Sequence, residues 1–174
     1  MHVSLVLTVI GPDRPGLVEL LARTVAEHEA NWLESRMSHL EGQFAGLLRV
    51  SVASDRTAAL SKALAGLEAL GLRVITRTSE GPSLPQSHRS LRLELVGQDR
   101  PGIIRDLSRA LAARRVNVEE LLTSCSSAPM SGEVLFEAKA DLRIPRDVSL
   151  DELRETLETI ANELMVDLTL DDPE

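Results

Sequence analysis

The chain has 174 residues, 43% of them hydrophobic, and sets 27 acidic side chains against 19 basic ones for a net charge of −8. That balance argues against direct nucleic-acid binding, because phosphate contacts supply most nonspecific affinity and no basic stripe interrupts the acidic background. With 2% aromatic residues, no Tyr and one cysteine, Cys125, the composition also excludes stacking platforms for single strands and an intramolecular disulfide framework.

His2 to Ile10 alternates, with Val3, Leu5, Leu7 and Val9 on one face and Ser4, Val6, Thr8 and Ile10 on the other. A period of two predicts a strand. Gly11 to Asp13 reads as a turn, and Pro15 is placed just inside a helix start, where its missing N–H is no loss. Leu17, Leu20, Leu21 and Val25 follow at helical spacing as one buried stripe. Asn31 to Leu40 and Gln43 to Ala53 read as strands joined around Glu41-Gly42. Asp55 opens a second helix that carries Leu60, Leu64 and Leu67 and stops at Gly71, and Leu72 to Thr78 is a last strand.

Residues 79–88 hold two prolines, a glycine and three serines, a linker composition. The order then returns as strand 89–97, helix 101–115, strands 116–125 and 132–141, helix 149–163 and strand 165–171. Ser149 and Glu152 form a capping box for the last helix. The second hairpin is longer, through Ser126 to Met130, and reads as a surface excursion; the tail from Asp171 to Glu174 is expected to fray.

The two halves are one module written twice. Gly11-Pro-Asp-Arg-Pro-Gly-Leu17 recurs 86 residues later as Gly97-Gln-Asp-Arg-Pro-Gly-Ile103, and positions 11–34 carry 10 identities in 24 at that offset. The predicted organisation is therefore a module over 1–80, a linker over 81–88 and a second module over 89–174. Right-handed crossovers in a β-α-β-β-α-β unit predict an α+β protein of two tandem ferredoxin-like modules, the first and third strands of each being central neighbours. The sheet face away from the helices is then readable. In the second half it carries Arg92 and Glu94 beside Glu137 and Lys139, which suits water. In the first half it carries Val6, Thr8 and Ile10 beside Ala45, Leu47 and Arg49, apolar enough that a cover is expected, most simply a second copy of the chain.

The repeated turn has its own chemistry. A strand ends at a glycine and a helix begins a few residues later, leaving unpaired N–H groups and a positive dipole end that suit a small carboxylate. Gly16 and Gly102 permit close approach or a positive φ, and Asp13 and Asp99 are placed to cap the helix or meet an ammonium group. Asn31 and Asn117, at the start of the second strand, each offer a donor and an acceptor.

A strand followed by Asp-Arg-Pro-Gly-Leu/Ile, a helix, and an Asn about 15 residues after the glycine resembles the ACT domain, a ferredoxin-like unit that binds amino acids and regulates enzymes and transcription. The resemblance covers both halves. Two such modules, with Asn31-Trp-Leu-Glu-Ser-Arg36 and a Glu-Gly-x-Phe hairpin in the first, are similar to the glycine cleavage system repressor family. That resemblance implies a ligand lying where two modules pack side by side. One site would use Gly11, Asp13, Arg14, Gly16 and Leu17 with Asn117, and its mirror Gly97, Asp99, Arg100, Gly102 and Ile103 with Asn31. Many members carry Asn in place of Asp13 or Asp99; an Asp there suits a ligand ammonium or a helix cap better than a carboxylate.

A structural reading stands beside each of these. Asp-Arg-Pro-Gly is also simply a good helix start, and Asn31 and Asn117 are also simple turn residues. His28, His39 and Trp32 read as solvated or packing residues, and Cys125 as a half-buried strand cysteine, since no His pattern supports a nucleophile. No catalytic motif, metal-spaced set or cofactor fingerprint occurs, so the expectation is a protein that is not an enzyme and needs no cofactor. The turn also resembles the regulatory module that opens formyltetrahydrofolate deformylases, but no length remains for their catalytic domain. No membrane-length apolar run or signal pattern occurs, and the lone cysteine fits a reducing cytosol, so a cytoplasmic homodimer is expected. Its partners would be a small amino acid and a regulatory protein such as a transcription activator. The alternatives are a freestanding regulatory subunit of an amino-acid-metabolic enzyme and a ligand-free adaptor.

Overall fold

The structure is a computed structural model, and it describes residues 1–79, 88–127 and 133–171. All of the expected linker but its last residue, His88, most of the expected hairpin excursion and the end of the tail lie outside the described residues. The chain divides into two units, Met1–Ser83 and Leu84–Glu174.

In the first unit, β1 (His2–Pro12), α1 (Leu17–Glu27), β2 (Asn31–Leu40), β3 (Gln43–Ala53), α2 (Thr57–Gly66) and β4 (Arg73–Thr78) follow in that order. The second unit repeats them as β5 (His88–Gln98), α3 (Ile103–Ala113), β6 (Asn117–Ser127), β7 (Val134–Pro145), α4 (Leu150–Leu164) and β8 (Val166–Asp171). Each sheet is antiparallel between neighbours, in the orders β2-β3-β1-β4 and β6-β7-β5-β8, so the first and third strands are central as expected. The fold is therefore α+β, two ferredoxin-like modules in tandem.

Each module has one core, between its sheet and its two helices. Leu5, Leu7 and Val9 of β1 meet Leu17, Leu21 and Val25 of α1 and Leu60 and Leu64 of α2. Leu91, Leu93 and Leu95 meet Ile103, Leu107, Leu111, Leu153 and Leu157 in the second unit. The odd positions of β1 are thus the buried ones, and the even positions face away from the helices. The β2–β3 reversal has two residues, Glu41 and Gly42, both at positive φ (47° and 74°), the combination that matches strand twist in a tight hairpin.

Several boundaries differ from the sequence reading. The first helix starts at Leu17, with Gly16 as its N-cap at φ 92°, so Pro15 precedes the helix rather than occupying its first turn. The second helix is a composite: a 3-10 turn at Ser54–Arg56 leads into α2, and another at Leu67–Leu70 leads out. Gly71 then takes φ 80° and the amide of Leu72 donates to the carbonyl of Leu67, closing the end as the glycine implied. At α4 the amide of Glu152 donates to Ser149 Oγ at 3.4 Å, the expected cap.

Candidate functional site

Both Asp-Arg-Pro-Gly turns are built alike. β1 runs two residues further than its alternation implied, pairing Gly11 with Phe44 and Pro12 with Gln43, so the turn begins at Asp13. The Asp13 amide donates to the carbonyl of Gly42 at 2.8 Å, and the Asp99 amide donates to Val134 at 2.9 Å. The N-caps are Gly16 and Gly102, both left-handed, and among the described residues neither aspartate caps its helix and neither cap makes a side-chain bond. The first-turn amides of α1 and α3 are consequently left to solvent or a ligand, at the positive end of the helix dipole. Asp13 instead holds its carboxylate 3.8 Å from His39 Nε2.

The glycines divide into two roles. Gly11 and Gly97 are close-approach positions: a Cβ on Gly11 would strike the carbonyl of Gly71, and one on Gly97 would strike Val166. Gly16 and Gly102 are required for their φ of 92° and 103°, which side chains disfavour. Around Gly16 the space is open, with nothing within 4 Å of a Cβ position. A Cβ on Gly102 would come within 3.0 Å of the Arg105 guanidinium, which is locked to Asp106 by bonds of 2.8 and 3.0 Å. The Asp106 carboxyl is held below its usual range, first by the hydrogen bond from Arg105. The first turn is therefore open and the second is roofed by an ion pair.

The arginines of the motif point elsewhere. Arg14 donates to the carbonyl of Leu70, and Arg100 donates to the carbonyl of Glu163 at 3.0 Å. Each clasps the C-terminal end of the module's second helical segment, where carbonyls lack helical partners. Leu17 and Ile103 are buried core residues, so only their backbones can face a ligand.

Asn31 and Asn117 both begin edge strands and are exposed, but neither is near its own module's turn. Asn31 pairs with Ser51 of β3 while Gly11 pairs with Phe44 of the same strand, seven residues away. At the rise of a strand that is about 23 Å. Asn117 and Gly97 are set apart in the same way, at Arg143 and Phe136 of β7. A single module cannot bring its turn and its own asparagine together. Each asparagine is followed by a matched bulge, between Trp32 and Glu34 in β2 and between Val118 and Glu120 in β6, an irregularity the alternation did not reveal.

The bland readings fare unevenly. Trp32 packs partly buried against the core, and His28 Nδ1 lies 2.9 Å from the Thr24 carbonyl. Cys125 is exposed rather than half-buried, because β6 is exposed along its whole length. Three arginines of the second unit are paired with acids: Arg114 with Glu152, Arg115 with Asp147 and Arg143 with Glu119. Among the described residues no helix is long and apolar enough to cross a membrane.

The ACT domain family model matches residues 4–75. Over 162 residues the chain is 24% identical to the glycine cleavage system transcriptional repressor of Escherichia coli K12, a span of 92% of this chain and 85% of that protein. An unknown protein from Galdieria sulphuraria superposes with a TM-score of 0.85 at 29% identity over the whole of both chains. A candidate glycine cleavage system transcriptional repressor of known structure superposes with a TM-score of 0.71 at 21% identity, covering 98% of this chain and 97% of that one.

Proposed function

We propose that this tandem ACT-domain chain is a regulator, not an enzyme: it senses a small amino acid of glycine or serine size and acts through contacts with another protein. The proposed setting is cytoplasmic control of transcription in glycine and one-carbon metabolism, with a homodimer restraining a DNA-binding activator and holding no DNA itself. Similarity to the glycine cleavage system transcriptional repressor across 92% of the chain supports the setting.

The observation that carries the sensing role is the open turn at Gly16. Gly16 gives the helix start no side-chain cap, the glycine leaves space, and Asp13, three residues before it, sets its carboxylate 3.8 Å from His39 Nε2. A zwitterion would set its carboxylate on the amides and its ammonium toward Asp13. Gly11 and Gly97 keep the strand ends close to the body of the module, and Arg14 and Arg100 hold the turns in place. An asparagine joined to such a turn would come from a second module, Asn117 with the Gly16 turn and Asn31 with the Gly102 turn. Binding regulates only if the ligand prefers one arrangement of the protein over another.

Thermal unfolding in the presence of each amino acid tests this. Glycine or serine raises the melting temperature, since a ligand at 100 times its Kd adds about 2.7 kcal/mol to the folded state. A flat response to all twenty would refute sensing and leave an adaptor. Co-purification of a metabolic enzyme instead of a transcription factor would move the role to a regulatory subunit. Duplex DNA gives no gel shift at physiological salt, and salt-sensitive submicromolar binding would overturn the charge argument.

A further inference from the structure

The open sheet faces of the two modules are the same surface with opposite charge. In the first module the register sets rows Glu34–Arg49–Val6–Arg77, Arg36–Leu47–Thr8–Ile75 and Ser38–Ala45–Ile10–Arg73 across the face. Its centre is apolar and uncovered, with Leu47 52%, Ile10 45% and Ile75 45% exposed. Its rim is Arg36, Arg49, Arg73 and Arg77 against two acids, Glu34, which binds Arg49 at 3.3 Å, and Glu68, which lies 4.0 Å from Arg73. Among the described residues Arg36 and Arg77 have no carboxylate partner, so an acidic chain carries one distinctly basic face.

In the second module the matching rows read Glu120–Asp141–Arg92–Asp171, Leu122–Lys139–Glu94–Thr169 and Ser124–Glu137–Val96–Asp167. The centre is neutralised internally, Arg92 to Asp141 at 2.9 Å and Lys139 to Glu94 at 3.0 Å. What remains is acidic: Glu120, Glu137, Asp167 and Asp171. Position for position, the edge strand reads Arg73, Ile75, Arg77 in one module and Asp167, Thr169, Asp171 in the other. Both faces also hold the same groove, about 190 Å³ beside Val6, Leu47 and Arg49, and about 170 Å³ beside the equivalent Arg92, Lys139 and Asp141.

We infer that the basic, apolar sheet face of the first module is covered by the acidic sheet face of the second module of another copy of this chain. Like faces do not pair, since a rim of four arginines against two glutamates would meet its own excess of positive charge. Unlike faces match: about a two-fold axis crossing the strands, β4 of one copy lies over β8 of the other, with Arg73 and Arg77 over Asp171 and Asp167. Those charges lie on edge strands, where a rim pair keeps part of its hydration and steers association rather than suffering full desolvation. The apolar centre of the first face lies over the aliphatic stems of Arg92 and Lys139, whose charges are already paired within their own face. Made twice, a contact between unlike faces closes into a dimer instead of a fibre. The inference is independent of the amino-acid reading.

Sedimentation of the full chain tests it, with circular dichroism confirming that each variant is folded. Arg73→Asp with Arg77→Asp sets acid against acid and raises the dimer dissociation constant by at least about a hundredfold. Asp167→Arg with Asp171→Arg sets base against base and does the same. Mixed one to one, the two folded variants form a heterodimer, because both contacts are again between opposite charges. A monomeric natural chain, variants that stay dimeric, or a mixture that stays monomeric would each overturn the inference.

Discussion

The guanidinium of Arg100 donates to the main-chain carbonyl of Glu163 at 3.0 Å, and its counterpart Arg14 makes the same bond to Leu70. The arginine of the repeated motif thus fastens the turn to the far end of the other helical segment, and the conspicuous charge at the turn serves the scaffold. Replacing Arg14 or Arg100 with Ala lowers stability by about 1 kcal/mol, the scale of one modest hydrogen bond, and urea denaturation reads it. An unchanged midpoint for both would show that these exposed bonds hold nothing.

Gly16→Ala forces a side chain into φ 92° and costs about 1–2 kcal/mol by the same measurement. Space is not the reason, because nothing stands within 4 Å of the added carbon. A Gly16→Ala chain as stable as the parent would mean the turn relaxes freely.

If the proposed site is live, the two turns are expected to respond differently to ligand. Asp13→Ala and Asn117→Ala weaken the thermal shift given by glycine or serine, whereas Asp99→Ala and Asn31→Ala leave it largely intact, since Arg105 and Asp106 roof the second turn. Equal losses from all four would show that both turns bind; no loss from Asp13→Ala and Asn117→Ala would remove them from the site.

Asp106 and Asp147 titrate below the ordinary 3.8, chiefly through hydrogen bonds from Arg105 and Arg115. Their folded values lie below their unfolded ones, so the stability they contribute is present above about pH 4 and is lost as pH falls through the folded values. Carboxyl resonances followed by NMR give both low midpoints. Arg105→Gln returns the Asp106 midpoint upward and leaves Asp147 alone; an Asp106 midpoint that stays put would assign the shift to another cause.

Much of the fold was legible because alternation and repetition are local signals. Asn31–Leu40 and Gln43–Ala53 emerge from pattern with the bounds the structure gives them, since a two-residue reversal at Glu41-Gly42 leaves no slack. The charged open face of the second module was legible too, and register added Asp141 as the partner of Arg92. The helix start at Leu17 was not, because Pro15 fits a first turn as well as it fits the loop before one, and only the φ of Gly16 decides. Cys125 misled for a different reason. Alternation tells which face a residue takes, not whether a helix reaches far enough to cover it, and every residue of β6 is exposed. The division of labour within Asp-Arg-Pro-Gly lay beyond pattern altogether, since Arg14 and Leu70 meet only through tertiary folding.

The bond from the Asp13 amide to the Gly42 carbonyl suspends the loop proposed to face the ligand from the tip of the β2–β3 hairpin. Insertions or deletions at that reversal would therefore reshape the aperture of the pocket while every contact residue stayed the same. Selectivity in this architecture can drift through the lengths of its ribbons as well as through the chemistry of its walls.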